Sequence, residues 1–330
     1  MLTSAINNQN ANAIQLIKEG VAISDRSHWG RIRVSDDDRL RFLHNQSTNN
    51  FQVLKPGQGC DTVMVTSTAR TIDLVTSYVL DDAVLLLVSP NRRQLLAKWL
   101  DRYIFFADKV KLTDITAETA TFSLIGPQSH GIIEKLGAGD LIGQPDGNLL
   151  SVNEIIFATG SGLSIPGYTL ILPVTNKETL WNEILSYGAG ELSDRAWEML
   201  RILQGRPAPD AELTDDYNPL EVGLWQTISF NKGCYIGQET IARLNTYRGV
   251  KQYLWGIHLH GAAEPGTIIT IGDEKVGKLT SYTTTPDGHF GLGYIKSKAG
   301  GVGLKVQIGE TEGEIVAIPF VSHEYPLNNG

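Results

Sequence analysis

The stretch Phe230-Asn231-Lys232-Gly233-Cys234-Tyr235-Ile236-Gly237-Gln238-Glu239 gathers an amine, a thiol, an amide and a carboxylate in one short segment. Gly233 and Gly237 flank the thiol and leave its backbone free to approach a ligand closely. Lys232 stands two residues before Cys234, and Arg243 follows. Cations near a thiol favour the thiolate, its nucleophilic and metal-binding form. The spacing therefore points to a functional cysteine at Cys234, weighed against the bland alternative of a small buried hydrophobe. Cys60, approaching a predicted strand, takes that bland reading. Arg243, Arg248 and Lys251 can meet an anionic ligand, although a solvated surface is the default for such a run.

Two indoles form a second candidate. Trp29 sits in the polar setting Ser27-His28-Trp29-Gly30 before the first predicted strand, and Trp197 lies near the start of a predicted helix. Core packing is the common fate of tryptophan. Brought together by a fold, two indoles can also stack on a flat heterocycle. Other motifs fail on context. Gly272–Lys278 resembles a phosphate-binding loop, but Leu279 takes the Ser/Thr position and a β-hairpin surrounds it. Gly291-Leu292-Gly293 lacks the rest of a dinucleotide fingerprint. His258 and His260 share a strand face without a third ligand nearby, so no metal site is expected. Gly-x-Ser-x-Gly and Cys-x-x-Cys are both absent.

The elements that must hold these groups alternate between helix and strand over the first two thirds. Ser35 reads as the cap of a helix starting at Asp36, where acids suit the helix dipole. Ser89-Pro90 opens a second, with Leu95, Leu96, Trp99 and Leu100. Thr175 and Glu178 have capping-box spacing before a third. Ser193 opens a fourth, ended by Gly205 and Pro207. Val63–Val65, Ile72–Leu80, Val84–Val88, Val110–Ile115 and Thr121–Ile125 read as strands, with a hairpin turn at Asp81-Asp82. From about Tyr253 helix signals vanish. Short β runs at Leu254–Leu259, Thr267–Ile271, Lys275–Tyr282, His289–Ile295, Leu304–Ile308 and Gly313–Ile318 alternate with turns, the pattern of a small barrel or sandwich. A boundary is expected near residues 245–252.

The chain has 330 residues, enough for two domains with buried cores. Its 36 acidic residues outnumber 28 basic ones, which argues against a nucleic-acid or membrane-surface partner. Two cysteines cannot build a disulfide framework and fit a reducing compartment. Met1–Asn12 lacks the charged-then-apolar pattern of a signal peptide, so a cytoplasmic chain is expected.

Lys232–Glu239 matches in full the pattern Lys-Gly-Cys-Tyr-x-Gly-Gln-Glu, and so resembles the signature of the YgfZ family of folate-binding proteins of iron–sulfur cluster maintenance. Phe230, Ala242-Arg243, Arg248-Gly249 and Leu254-Trp255 extend the match. The rest of the chain is loosely similar to the wider superfamily of the glycine-cleavage aminomethyltransferase, the T-protein. Val34–Gln46, Gly126-Pro127, Gly167-Tyr168, Pro219–Leu224 and Gly277–Ser281 carry that likeness.

The resemblance implies an α+β fold of three lobes around a folate cavity. Residues 1–250 would form two interleaved α+β lobes, the middle one roughly 50–125, and 251–330 a C-terminal β-barrel. It implies tetrahydrofolate or another reduced folate as cofactor, held at Trp29 and Trp197; Arg243 or Arg248 would meet the folate carboxylates. Cys234 would be the reactive group at the cavity, its thiolate favoured by Lys232, with Gly233, Tyr235, Gly237, Gln238 and Glu239 shaping the loop. Partners would be iron–sulfur client enzymes or assembly proteins. Two alternatives accompany this reading: a folate-dependent aminomethyltransferase or demethylase, and a non-catalytic folate-sensing scaffold. The first needs an acid near the folate. The alignment puts Leu74 or Val75 at that place, with Asp73 expected on the other strand face, and Ile165 where the T-protein has a pterin-binding glutamate.

Overall fold

The computed structural model describes residues 2–325. Helix α1 (Leu2–Glu19) leads into a short strand β1 (Ala22–Asp25). The chain then leaves that sheet to build another. β2 (Gly30–Ser35), α2 (Arg39–Gln46), β3 (Gly59–Val65), β4 (Thr71–Val79), β5 (Ala83–Val88), α3 (Arg93–Asp101) and β6 (Lys111–Asp114) follow, and the strands order as β3-β4-β5-β2-β6. Leu96 and Leu100 of α3 pack on Val34, Val75 and Val88 of this sheet. The chain returns through β7 (Thr119–Ile125), α4 (Ser129–Lys135), β8 (Leu149–Val152), β9 (Ile155–Thr159), β10 (Gly167–Pro173), α5 (Lys177–Ser186) and β11 (Gly190–Leu192). These complete a six-stranded sheet of order β11-β1-β7-β10-β9-β8. The two lobes are thus interleaved in sequence.

Helices α6 (Asp194–Gln204), α7 (Pro219–Val222) and α8 (Gln238–Thr246) precede the last lobe. There β12 (Gln252–Leu259), β13 (Ile268–Ile271), β14 (Glu274–Thr285), β15 (Gly288–Lys296), β16 (Lys305–Ile308) and β17 (Thr311–Val316) close into a barrel of order β12-β15-β14-β13-β16-β17. Closure pairs every edge strand. Ile257, Ile269, Leu279, Ile295 and Ile315 fill its interior. The three-lobed α+β arrangement with a terminal barrel is the one expected. Gly272-Asp273 is the tip of the β13–β14 hairpin, with no helix behind it to hold a phosphate.

Three helix starts lie later than their cap residues suggested, each because that residue is used elsewhere. Ser35 is still paired to Ala83 and Lys111 in the ladder, so the helix waits until Arg39. Asp36 makes the turn with φ 75°, and the Asp38 carboxylate accepts from the Lys109 amide. Ser89 is held by Asp73, and α3 begins only at Arg93. Thr175 donates to the Asn176 side chain, and the capping box with Glu178 does not form. Ser193 behaves as expected, its hydroxyl oxygen accepting from Ala196 N–H. At the other end of α6, Gly205 is left-handed (φ 78°), and a Cβ there would meet Ile318 at 2.5 Å. Two early elements, α1 and β1, were not expected, so Trp29 follows the first strand rather than preceding it.

Candidate functional site

A cavity of about 420 Å³ lies where the three lobes meet. Asp61, Thr76 and Tyr78 line it from the five-stranded sheet, Asp146 and Thr169 from the six-stranded lobe, and Phe320 from the segment after the barrel. Strand alternation explains the first set. Val75 and Val79 point into the core, which leaves Thr76 and Tyr78 on the opposite face. Asp61 pairs directly across from Thr76, whose hydroxyl donates to its carboxylate at 2.6 Å. Burial pushes the Tyr78 phenol up to about 12. Burial, and then the nearby Asp61 charge, raises the Asp146 carboxyl above its usual range. The volume falls within the range of small-ligand sites.

Arg26, just past β1, is the cation of this cavity. It is 1 % exposed. Its Nη1 donates to Ser123 Oγ at 3.0 Å and to the Ser161 carbonyl at 3.4 Å. Burial, and then the charge of Arg206, pushes it down to about 9. Its guanidinium carbon lies 3.8 Å from the ring centroid of Trp29 and 4.6 Å from that of Trp197. The indoles do meet, edge to face, with centroids 6.5 Å apart. They do not form an open slot: Arg26 covers Trp29, and Arg206 sits 5.3 Å from the same ring. Both indoles border a neighbouring pocket of about 400 Å³ with Ser89, Arg201 and Arg206.

Asp73 is fully buried beside that second pocket. It was expected on the far face of its strand. A register irregularity between Met64 and Val65, the partners of Asp73 and Thr71, disturbs the alternation here. The carboxylate accepts from Ser89 N–H at 2.9 Å and Ser89 Oγ–H at 2.6 Å. Burial outweighs these bonds and raises it to about 6. Its folded pKa thus exceeds the unfolded value near ~4, so the folded state holds the proton more tightly. Stability from this group is present below pH ~4 and is lost as pH rises through about 6. Asp73→Asn should keep the Ser89 N–H bond at its amide oxygen and reverse the other, its N–H donating to Ser89 Oγ, and gain roughly 2 kcal/mol over wild type at pH 7, shrinking to little at pH 4. Urea unfolding across that pH range checks it. Leu74 and Val75 are core residues, and Ile165 packs against the cluster holding both tryptophans.

The cysteine loop corrects two expectations. Cys234 is exposed and is not among the residues lining the cavity; Cys60 lines it, partly buried, with burial pushing its thiol up to about 12. Lys232 does not serve the Cys234 thiolate. Its ammonium is buried and donates to the carbonyls of His44, Ser47 (2.7 Å) and Asn49 (2.6 Å), closing the C-terminal end of α2. Burial pushes it down to about 7. Tyr235 is buried, with that ammonium 4.5 Å from its ring centroid. Ile236 N–H donates to the Asn45 carbonyl. Gly237 has φ 79°, and a Cβ there would lie 2.8 Å from the Thr66 carbonyl. Gln238 and Glu239 begin α8; Arg243 is exposed on it, away from the cavity lining. Gly233 is exposed beside the Cys234 thiol. The loop is a fixed platform with its thiol turned outward. Sequence reasoning missed Arg26, Asp61 and Asp146, which stand alone in the chain and meet only through the fold.

No helix among the described residues is long and apolar enough to cross a membrane. The family model described as GCVT N-terminal domain matches residues 4–232. The chain is 50% identical over 321 residues to the Arabidopsis thaliana protein named "Putative transferase At1g60990, chloroplastic", covering 95% of this chain and 74% of that one. It is 27% identical over 328 residues to an aminomethyltransferase of Desulforamulus reducens, covering 94% and 89%. The fold matches the crystal structure of the glycine cleavage system aminomethyltransferase T from Bartonella henselae, with a TM-score of 0.84 at 18% identity, over 96% of this chain and 90% of the other. With its interleaved lobes, closing barrel and these relatives, the chain belongs to the GCVT family of aminomethyltransferase-like proteins.

Proposed function

We propose that this chain binds a reduced folate, tetrahydrofolate or a close derivative, in the central cavity, and that it supports assembly or repair of iron–sulfur clusters in client enzymes. The observation that carries the folate reading is the lining of the cavity. Asp61 and Asp146 offer acceptors to the amino and N–H edge of a pteridine, and Arg26 offers donors to its oxygen. Tyr78 and Phe320 supply aromatic surface in the same cavity, and the indole pair lies behind Arg26. A bound folate would supply one-carbon chemistry at its ring nitrogens.

The iron–sulfur reading rests on the Lys232–Glu239 signature and on the exposed thiol it presents. A single thiol cannot hold a cluster, which takes about four protein ligands, so the others would come from the client or a small thiol. Because Cys234 is outside the cavity lining, its partner is a protein surface rather than the folate. The unpaired thiols fit a reducing compartment, taken here as the cytoplasm.

Aminomethyl transfer or demethylation is the second reading. Asp61 and Asp146 favour it, since both carboxyls line the cavity itself and burial holds that of Asp146 above its usual range, where it can hold or release a proton. The two readings separate in one set of assays. Tetrahydrofolate should bind with one site per chain. Cys234→Ala should leave that binding intact and lower client iron–sulfur enzyme activity by about tenfold if the thiolate is the ligating group. Unchanged client activity would remove the thiol mechanism. Turnover of an aminomethyl donor with tetrahydrofolate, lost in Asp146→Asn, would establish the second reading instead.

A further inference from the structure

Among the described residues Arg26 is a buried cation without a counter-ion, packed against the rings of Trp29 and Trp197. It makes no ion pair with them within 4 Å, and its Nε and Nη2 have no hydrogen-bond partner among the described protein atoms. Such a group is costly: an uncompensated buried charge destabilises a fold unless something recognises it. Nevertheless the surroundings are built to hold it. Gly162 has φ +85°, and a Cβ at that position would stand 2.5 Å from Arg26 Nη1, so the glycine makes the space the guanidinium uses. Ser123 and Ser161 fix one nitrogen. The two unpartnered nitrogens belong to a side chain that lines the same cavity as Asp61 and Asp146. The Asp61 charge is felt at Arg26, but the two do not pair. The wall of one cavity therefore carries a buried guanidinium with two unpartnered nitrogens at one place and carboxylate acceptors at another, left apart.

We propose that Arg26 and Asp61 are the specificity-determining pair of this cavity. They select a ligand that sets an acceptor oxygen at a fixed distance from N–H donors. Two sources share that chemistry: the carbonyl and amino edge of a reduced pteridine, and the carboxylate and ammonium of a small free amino acid. Assigning it to the pteridine rests on the folate reading above; the pair itself does not. Arg26 would then be a group that costs stability in the free protein and is repaid on binding, as functional residues commonly are.

The test combines titration calorimetry with tetrahydrofolate and with glycine, and thermal melting without ligand, on wild type, Arg26→Met and Asp61→Asn. Arg26→Met should weaken binding by about 30-fold or more, the scale of a charge-assisted hydrogen bond. It should melt no lower than wild type, since a buried unpaired charge has gone. Asp61→Asn should weaken binding by about tenfold or more, and carries the proposal if Arg26→Met does not fold. Arg26-dependent binding of glycine without binding of tetrahydrofolate would uphold the pair and overturn the folate reading. Tetrahydrofolate binding equally to all three proteins would uphold folate and overturn the pair. A lower melting point for Arg26→Met with unchanged binding, or no binding of either probe to wild type, would overturn it as well.

Discussion

Glu212→Ala should cost about 3–5 kcal/mol and loosen the barrel from the rest of the chain, because it strands a buried ionic network. Glu212 is 0 % exposed. One carboxylate oxygen accepts from Arg201 Nη1 at 2.9 Å and from Ala208 N–H at 3.1 Å. The other accepts from Thr280 at 2.6 Å and Ser281 at 2.7 Å, both on β14 of the barrel. Its backbone carbonyl accepts from the Tyr294 hydroxyl at 2.7 Å. Tyr294 in turn stacks on Tyr217 with centroids 3.5 Å apart. One residue thus joins α6 to two barrel strands, its side chain reaching β14 and its backbone carbonyl β15. Alanine removes the acceptor for four donors and leaves the Arg201 charge half-neutralised, with only Glu198 as its remaining acid. Glu212→Gln keeps most acceptor capacity and should cost about half as much. Urea unfolding measures the loss, and faster hydrogen exchange confined first to β14 and β15 would locate it. A cost below about 1 kcal/mol would mean that apolar packing alone docks the barrel.

Lys232→Met should cost about 3 kcal/mol or more, and most of it should show in the cysteine loop. The ammonium satisfies three carbonyls at the end of α2, two of them buried and that of Asn49 partly so. A methionine fills the space without donating, so those acceptors lose their partner where water does not reach. Limited proteolysis should then cut within Asn231–Gly237, a segment held in wild type by Lys232, the Ile236–Asn45 bond and buried Tyr235. Lys232→Arg should not rescue it, since a planar fork does not match three converging carbonyls. Resistance equal to wild type would show that Tyr235 and Gly237 hold the loop without the lysine.

How much of this was legible differs by element. The strands of the last lobe were readable throughout, because each is a short run bounded by glycine turns, but the runs fit a barrel or a sandwich alike, and only the family resemblance pointed to closure. The Ser193-to-Gly205 helix was readable because both caps are local. Helix α1 was not, because the stretch before Ala13 is polar; among the described residues Ala13, Ile14, Leu16 and Ile17, at its end, meet the core. β1 was missed because it has four residues. The misplaced helix starts share one cause: Ser35 and Ser89 carry cap chemistry, but a strand ladder and a buried carboxylate claim them first. The cysteine signature stood out as a motif, yet its lysine was misassigned, since only the fold shows α2 beside it. The cavity groups lay beyond local reading. Arg26, Asp61 and Asp146 are far apart in the chain, and each resembles an ordinary surface charge until three lobes enclose them.

The central claim is that the enclosed cavity takes a reduced folate. Tryptophan fluorescence during titration with tetrahydrofolate tests it most directly, because Arg26 lines the cavity and touches both Trp29 and Trp197. Saturable quenching in wild type, reduced in amplitude and affinity in Trp197→Phe, is the predicted result. A flat titration in wild type, with the protein folded, would contradict the account.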